Sequence, residues 1–238
     1  MTLPTWFVTT PWACIDVEST SADPETARVV DLSLLTVDEG RPREAWTRRV
    51  NPGVPIPAEA TAIHGISDAD VADAPSFAAI APELARLAQG RTLLGYNAAR
   101  FDVPLLRTEL RRLGRAVSER LPVDVLVWVR EFDRFVKGQG RHRLGTTCAR
   151  WGVELRDAHS AEADIRATWD LWRKIVERHA RSLPATLPAL LLHQAKLAHA
   201  HDARHAAWRA RQAQGDLLKH AAARRDDDDE PHIADGLG

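Results

Sequence analysis

Polar and apolar positions change their period along the chain, and the changes mark out its elements. Trp12-Ala-Cys-Ile-Asp-Val-Glu18 alternates and predicts a first strand, with Ile15 and Val17 on one face. Arg28–Val37 predicts a second strand and Ala45–Val50 a third, each bounded by Gly, Pro or acidic turn residues. No helix fits between them, so the three form an antiparallel meander. Pro75-Ser76 opens a helix in which Phe77, Ile80, Leu84 and Leu87 recur at helical spacing, and Gly90 closes it. Thr92–Gly95 predicts a short fourth strand. Leu106, Leu110 and Leu113 mark a helix stopped at Gly114, and Pro122–Leu126 begins with a strand that passes into a helix ending near Phe135. A Gly-containing basic loop lies between Arg134 and Arg143. A further helix runs from Ala161 to His179 with Ile165, Thr168, Leu171 and Ile175 on its buried side. Three strands followed by alternating helices and strands imply an α/β fold, a mixed sheet flanked by helices.

Composition narrows the setting. With 238 residues, 45% hydrophobic and 27% charged, the chain suits one ample domain with an appendage, or two small ones. Two cysteines, Cys14 and Cys148, exclude a disulfide-stapled secreted scaffold. The first residues carry no basic segment leading into an apolar one, so no signal peptide is expected, and no apolar run reaches the roughly 20 residues that span a bilayer. The expectation is a soluble, cytoplasmic protein with no membrane partner.

The formal net charge of −1 conceals three blocks. Residues 1–181 hold 25 basic and 25 acidic side chains; residues 182–225 hold seven basic against two acidic; residues 226–238 hold six acidic and no Lys or Arg. The chain therefore reads as a neutral body (1–181), a basic Ala-rich helical arm (182–225) and an acidic, disordered tail (226–238), with Pro184 and Pro188 near the first boundary. The arm's apolar positions, Leu190, Leu197, Trp208 and Leu218, are too sparse for a coiled-coil seam. It has three open roles: docking on the body, binding nucleic acid, or recruiting a DNA polymerase or other repair protein. Gln214–Leu218 has some likeness to a sliding-clamp-binding peptide but lacks the terminal aromatic. The tail is expected to be solvated, the sharper alternative being that it folds back on the arm and competes with DNA.

Chemistry is expected where acids occupy positions that should be apolar. Asp16 and Glu18 are two apart on a strand and leave the same face. Such a pair costs several kcal/mol on a buried strand unless a cation or donors compensate it. A solvent-facing strand side is the alternative, against which Cys14 on the same face argues. Asp102 falls in or near the first turn of a helix, with Asn97 placed to cap it, and the helix dipole alone favours an acid there. His159 and Asp164 are five apart, so His159 sits just before the helix that holds Asp164.

Asp-x-Glu, then Asn-x-x-x-Phe-Asp, then His-x-x-x-x-Asp, in this order of strands and helices, resembles the three motifs of the DnaQ-like 3′–5′ exonucleases of the DEDD family, histidine subtype. Within that family the pattern is similar to the proofreading epsilon subunits of bacterial DNA polymerase III. The resemblance covers about residues 12–180 and includes Ile63-His-Gly-Ile-Ser67 and the Leu144–Gly152 segment. It implies a ribonuclease-H-like fold whose five-stranded mixed sheet has its first three strands antiparallel. It also implies that Asp16, Glu18, Asp102 and Asp164 hold two divalent cations, Mg²⁺ or Mn²⁺, with His159 as general base. Ser19, Thr20, His64, Asn97 and Phe101 would line the terminal nucleotide. Asn97 as a helix cap and Phe101 as a core aromatic remain the structural alternatives. Ser21 stands where many members have the Gly of a Thr-Thr-Gly run, so the loop after Thr20 departs from the family.

Oxygen-only donors suit such hard cations. Two ions about 4 Å apart stabilise both the attacking and the leaving oxygen of an in-line displacement, and a histidine can take the water's proton near neutral pH. Arg134, Lys137, Arg141, His142 and Arg143 are candidates for holding the phosphate backbone. The expected function is a metal-dependent 3′–5′ exonuclease that releases nucleoside 5′-monophosphates from single-stranded or frayed DNA 3′ ends in repair or proofreading. The alternatives are an RNA-trimming exoribonuclease of the same fold and a non-catalytic DNA-end-binding subunit.

Overall fold

The structure is a computed structural model that describes residues 2–116, 118–138, 140–155 and 161–228. Its elements run α1 (Thr5–Thr9), β1 (Trp12–Ser19), β2 (Val29–Asp38), β3 (Arg41–Arg49), α2 (Ala58–His64), α3 (Asp68–Val71), α4 (Phe77–Ala88), β4 (Thr92–Gly95), α5 (Asp102–Arg112), β5 (Val123–Asp124), α6 (Val125–Phe132), α7 (Leu144–Trp151), α8 (Ala161–His179) and α9 (Leu187–Asp228). The strands form one sheet in the order β3-β2-β1-β4-β5. The β3-β2-β1 meander is antiparallel, while β4 and β5 join in parallel. This is the mixed sheet predicted from the pattern, with the third strand beginning four residues earlier than expected.

Strand alternation divides β1 between two cores. Ala13, Ile15 and Val17 pack with Phe77, Ile80, Leu84 and Leu87 of α4 and with Val103 and Leu106 of α5. Trp12, Cys14, Asp16 and Glu18 leave the other face, where α8 packs across β1 and β2. Ile165, Thr168, Leu171 and Ile175 are all buried in α8, as their spacing predicts. On this side α1, absent from the sequence reading, contributes to a nest of large rings. Phe7 stacks on Trp169 with ring centroids 5.3 Å apart, and Trp6, Trp12 and Trp172 surround the pair. Cys14 Sγ donates to the Ile165 carbonyl at 3.3 Å, tying strand to helix.

Gly95 permits a close approach at the edge where β4 ends. A Cβ there would lie 2.7 Å from the Ala98 Cβ and 2.8 Å from the Ile15 carbonyl oxygen, so any larger residue would push the β4–α5 turn off β1.

Met1–Gln194 forms one compact unit and Ala195–Gly238 a second. The predicted helix of the arm is present as part of α9. Among the described residues no helix is long and apolar enough to cross a membrane.

Candidate active site

The carboxylates come from three elements that the sheet gathers at one end of β1. Asp16 and Glu18 are half-buried on one face of β1, between buried neighbours. A register shift lies between Glu18 and Ser19 in the pairing with β2, which turns the chain after the pair. Asp102 opens α5 and is 5% exposed, and its Oδ1 accepts a hydrogen bond from the Val17 N–H at 3.0 Å. One carboxylate is thereby fastened to the backbone between the other two. Asp164 lies in the first turn of α8. His159 lies outside the described residues.

Electrostatics place these groups in each other's field. Burial, followed by the charges of Asp102, Glu18, Asp164 and Asp31, pushes the Asp16 carboxyl well above the usual carboxylate range. Burial, with Asp124 and Glu18, pushes Asp102 up to about 7 against the hydrogen bonds that favour its ionised form. The face is therefore over-supplied with negative charge, which a divalent cation would relieve. Among the described residues no three His, Cys, Asp or Glu side chains stand close enough together to hold a metal ion by themselves. Mg²⁺ does not require such a group, because it characteristically takes one or two carboxylates and completes its shell with water and phosphate oxygens. The donor set, all oxygen and mutually repelling, fits such ions.

Two acids that the sequence reading missed shape the site. Asp31 of β2 stands opposite Glu18 in the register and is 5% exposed. Its Oδ2 lies 3.7 Å from Arg49 Nη1, and its Oδ1 accepts from the Leu32 N–H. An acid inside the apolar run Val-Val-Asp-Leu was the available signal. Asp124, the last residue of β5, accepts from the backbone N–H groups of Asn97, Ala99 and Leu126 at 3.0–3.1 Å and so holds the turn that delivers Asp102. Its own N–H donates to Gln194 Oε1 at 2.8 Å.

The expected substrate contacts separate into two groups. Ser19, Thr20 and His64 come together: His64 Nδ1 accepts from the Ile66 N–H at 3.1 Å, so the neutral ring carries its proton on Nε2 and donates it to the Ser19 carbonyl at 3.2 Å. Burial holds the His64 pKa below 6.5, which favours this neutral form. Thr20 Oγ1 accepts from the Arg28 N–H, and Ser19 Oγ donates to the Ser21 carbonyl, closing the loop after Glu18. Asn97 does not cap α5. It takes a left-handed conformation at φ 71° and its carbonyl accepts from the Arg100 and Phe101 N–H groups; Phe101 occupies the cap position. The reason is steric and electrostatic: the turn needs a residue that tolerates positive φ, and Asp124 already satisfies its amides. Phe101 is half-buried against the α4–α5 core.

The candidate basic loop is partly self-satisfied. Arg134 pairs with Glu131 at 2.6 Å and His142 bonds to the Val136 carbonyl, whereas Lys137, Arg141 and Arg143 are exposed. Tyr96 OH donates to the His142 carbonyl at 2.6 Å and ties this loop to the end of β4.

Residues 13–172 match the profile of the exonuclease family of RNase T type, and the chain belongs to that family. Within it the chain is similar to the DnaQ-like 3′–5′ exonucleases. It is 26% identical over 172 residues to the DNA polymerase III subunit epsilon of Treponema pallidum, covering 71% of this chain and 78% of that one. It is 30% identical over 166 residues to a DNA polymerase III subunit epsilon-like protein of Rhodobacter capsulatus, covering 68% of this chain but 23% of the relative. It spans 11% of the PolC-type DNA polymerase III of Caldanaerobacter subterraneus, so several of its relatives are far longer. Escherichia coli exonuclease I, solved in complex with a dT13 oligonucleotide, shares the fold with a TM-score of 0.66 and 20% identity over 73% of this chain and 42% of that one.

Proposed function

We propose that the protein hydrolyses DNA from its 3′ end, one nucleotide at a time, with divalent cations held by Asp16, Glu18, Asp102 and Asp164, and that it serves DNA repair or proofreading in the cytoplasm. The observation that carries this reading is the convergence of carboxylates from β1, α5 and α8 on one field, with Asp102 bonded to the Val17 amide between Asp16 and Glu18. Bound Mg²⁺ or Mn²⁺ would lower the pKa of a water and neutralise charge on the scissile phosphate. The chain's own residues do the rest. Asp16 and Glu18 would hold the ions from a strand, and Asp102 and Asp164 from the first turns of two helices. His159, just ahead of α8, takes the proton of the attacking water. Ser19, Thr20 and His64, bonded together at the end of β1, would contact the terminal nucleotide, with Asn97 and Phe101 as further proposed contacts. The basic arm is read as residues 182–225 and the acidic tail as 226–238, although the compact unit that holds the site runs on to Gln194.

Single-stranded or frayed DNA ends are the proposed substrate, and a DNA polymerase or other repair protein the proposed partner of the arm. The names of the epsilon relatives support both. The test is a gel assay of 5′-labelled single-stranded DNA and matched RNA with Mg²⁺, Mn²⁺ or EDTA, beside Asp16→Ala. A ladder shortening from the 3′ end with metal, absent in the variant, is expected for DNA. Cleavage of RNA alone would replace the substrate, and binding without cleavage would replace the enzyme by an end-binding module.

A further inference from the structure

From Asp202 to Gln212 every residue of α9 is exposed, about 15 Å of helix open to solvent on all sides. Helical spacing sorts these residues and the adjoining His201 into two arcs. His201, Arg204, His205, Trp208, Arg211 and Gln212 share one face, and Ala203, Ala206, Ala207 and Ala210 the other. The face is organised: Arg204 Nη2 donates to His201 Nδ1 at 2.9 Å, and the His205 and Trp208 rings lie 5.7 Å apart, inclined by 31°. Trp208 remains 50% exposed between Arg204 and Arg211. Asp202 and Arg209 lie to the side of this face, which itself carries no acid between residues 201 and 212.

A protein partner or a second copy would need an apolar seam, and this stretch offers only one large apolar side chain. A polyanion with flat rings needs what is present, namely cations flanking an exposed aromatic plane. We propose that the His201–Arg204–His205–Trp208–Arg211 face is a second nucleic-acid site, which binds single-stranded DNA by pairing Arg204 and Arg211 with phosphates and stacking a base on Trp208. The choice of DNA rests on the function proposed for the body, but the site does not depend on catalysis.

The test uses the full chain in EDTA, so that no strand is cut, and measures anisotropy of labelled dT20 and quenching of tryptophan emission. Trp208→Ala is expected to weaken binding at least fivefold and to remove most of the quenching. Arg204→Gln with Arg211→Gln is expected to weaken binding and to reduce the slope of log Kd on log salt by about 1.4, the release of counterions from two phosphates. Hydrolysis of a trinucleotide with Mg²⁺ should be unchanged in both variants, because so short a strand engages the body alone. Unchanged dT20 affinity in these variants, or tighter binding of a 20-base-pair duplex than of dT20, overturns the proposal. Absence of trinucleotide hydrolysis in the unaltered chain would overturn the function of the body and leave the arm's site to stand on its binding data.

Discussion

The Asp102 carboxylate and the Val17 amide are joined by a 3.0 Å hydrogen bond that crosses from the first turn of α5 to the middle of β1. Position is thereby fixed at an electrostatic cost, since burial and the charges of Asp124 and Glu18 push the Asp102 carboxyl up to about 7. An acid whose pKa is higher folded than unfolded binds more protons in the native state. The metal-free protein should therefore gain stability as the pH falls from about 7 towards 4, and be least stable above 7. Asp102→Asn keeps an oxygen for the Val17 amide and removes the charge. It is expected to stabilise the metal-free protein at pH 8 by on the order of 2 kcal/mol, with the gain vanishing near pH 4, while abolishing hydrolysis. Urea unfolding in EDTA at the two pH values checks this; a variant no more stable than the parent at pH 8 would sink it.

His64 joins α2 to the strand end by using both ring nitrogens, one accepting from Ile66 and one donating to Ser19. Protonation destroys the acceptor, and burial already holds the pKa below 6.5. KM for an oligonucleotide is expected to climb as the pH drops below the histidine range, with kcat set separately by the proposed metal ligands. His64→Ala should start about tenfold higher in KM, a loss near 1.4 kcal/mol, and show no further rise on acidification. An acid limb in KM that persists in the variant would assign the effect to another group.

The sheet was legible because turn residues bound β1, β2 and β3 and no helix fits between them, and α8 because its apolar residues keep helical spacing for nineteen residues. The short helices α1, α2, α3 and α7 were not, since helices of four to eight residues draw their stability from packing rather than from periodicity. Among the candidate site residues, Asp16, Glu18, Asp102 and Asp164 stood out by pattern. Asp31 and Asp124 did not, because one acts through a cross-strand neighbour and the other through amides 25 and 27 residues away. Asn97 misled for a related reason: the residue type that caps helices also tolerates positive φ, and the turn selects the second property.

Asp124 offers a direct measure of how much the turn before Asp102 depends on it. Asp124→Ala leaves the N–H groups of Asn97, Ala99 and Leu126 without their acceptor in a site that is 2% exposed. A loss of about 2–4 kcal/mol is expected, on the order of 1–3 kcal/mol being typical for one unsatisfied buried group, together with a fall in kcat from displacement of Asp102. Asp124→Asn, which keeps an acceptor oxygen, should recover much of the stability. Equal destabilisation by both variants in urea titrations would show that the oxygen accepting from Asn97 and Leu126 is not what holds the turn.

Gln194 sets where the body ends. Its Oε1 accepts from the Asp124 N–H at 2.8 Å and from Trp128 Nε1 at 3.1 Å, and its Nε2 donates to the Pro122 carbonyl at 2.9 Å. Four residues earlier, Leu190 is fully buried. The beginning of α9 is thus part of the packing that holds β5, and through Asp124 the turn that carries Asp102. A chain cut after residue 200 retains all of these contacts; a chain cut after residue 186 loses them. The longer form is expected to unfold near the temperature of the full chain. The shorter should lose roughly 3 kcal/mol or more, from an emptied leucine site and unpaired buried polar groups. Gln194→Leu in the full chain separates the two causes, since it removes only the hydrogen bonds and should cost about 1–3 kcal/mol. Equal melting temperatures for the two truncated forms would place the end of the folded body before Leu187, close to the boundary at residue 181 that composition suggests, and would deny Gln194 its role.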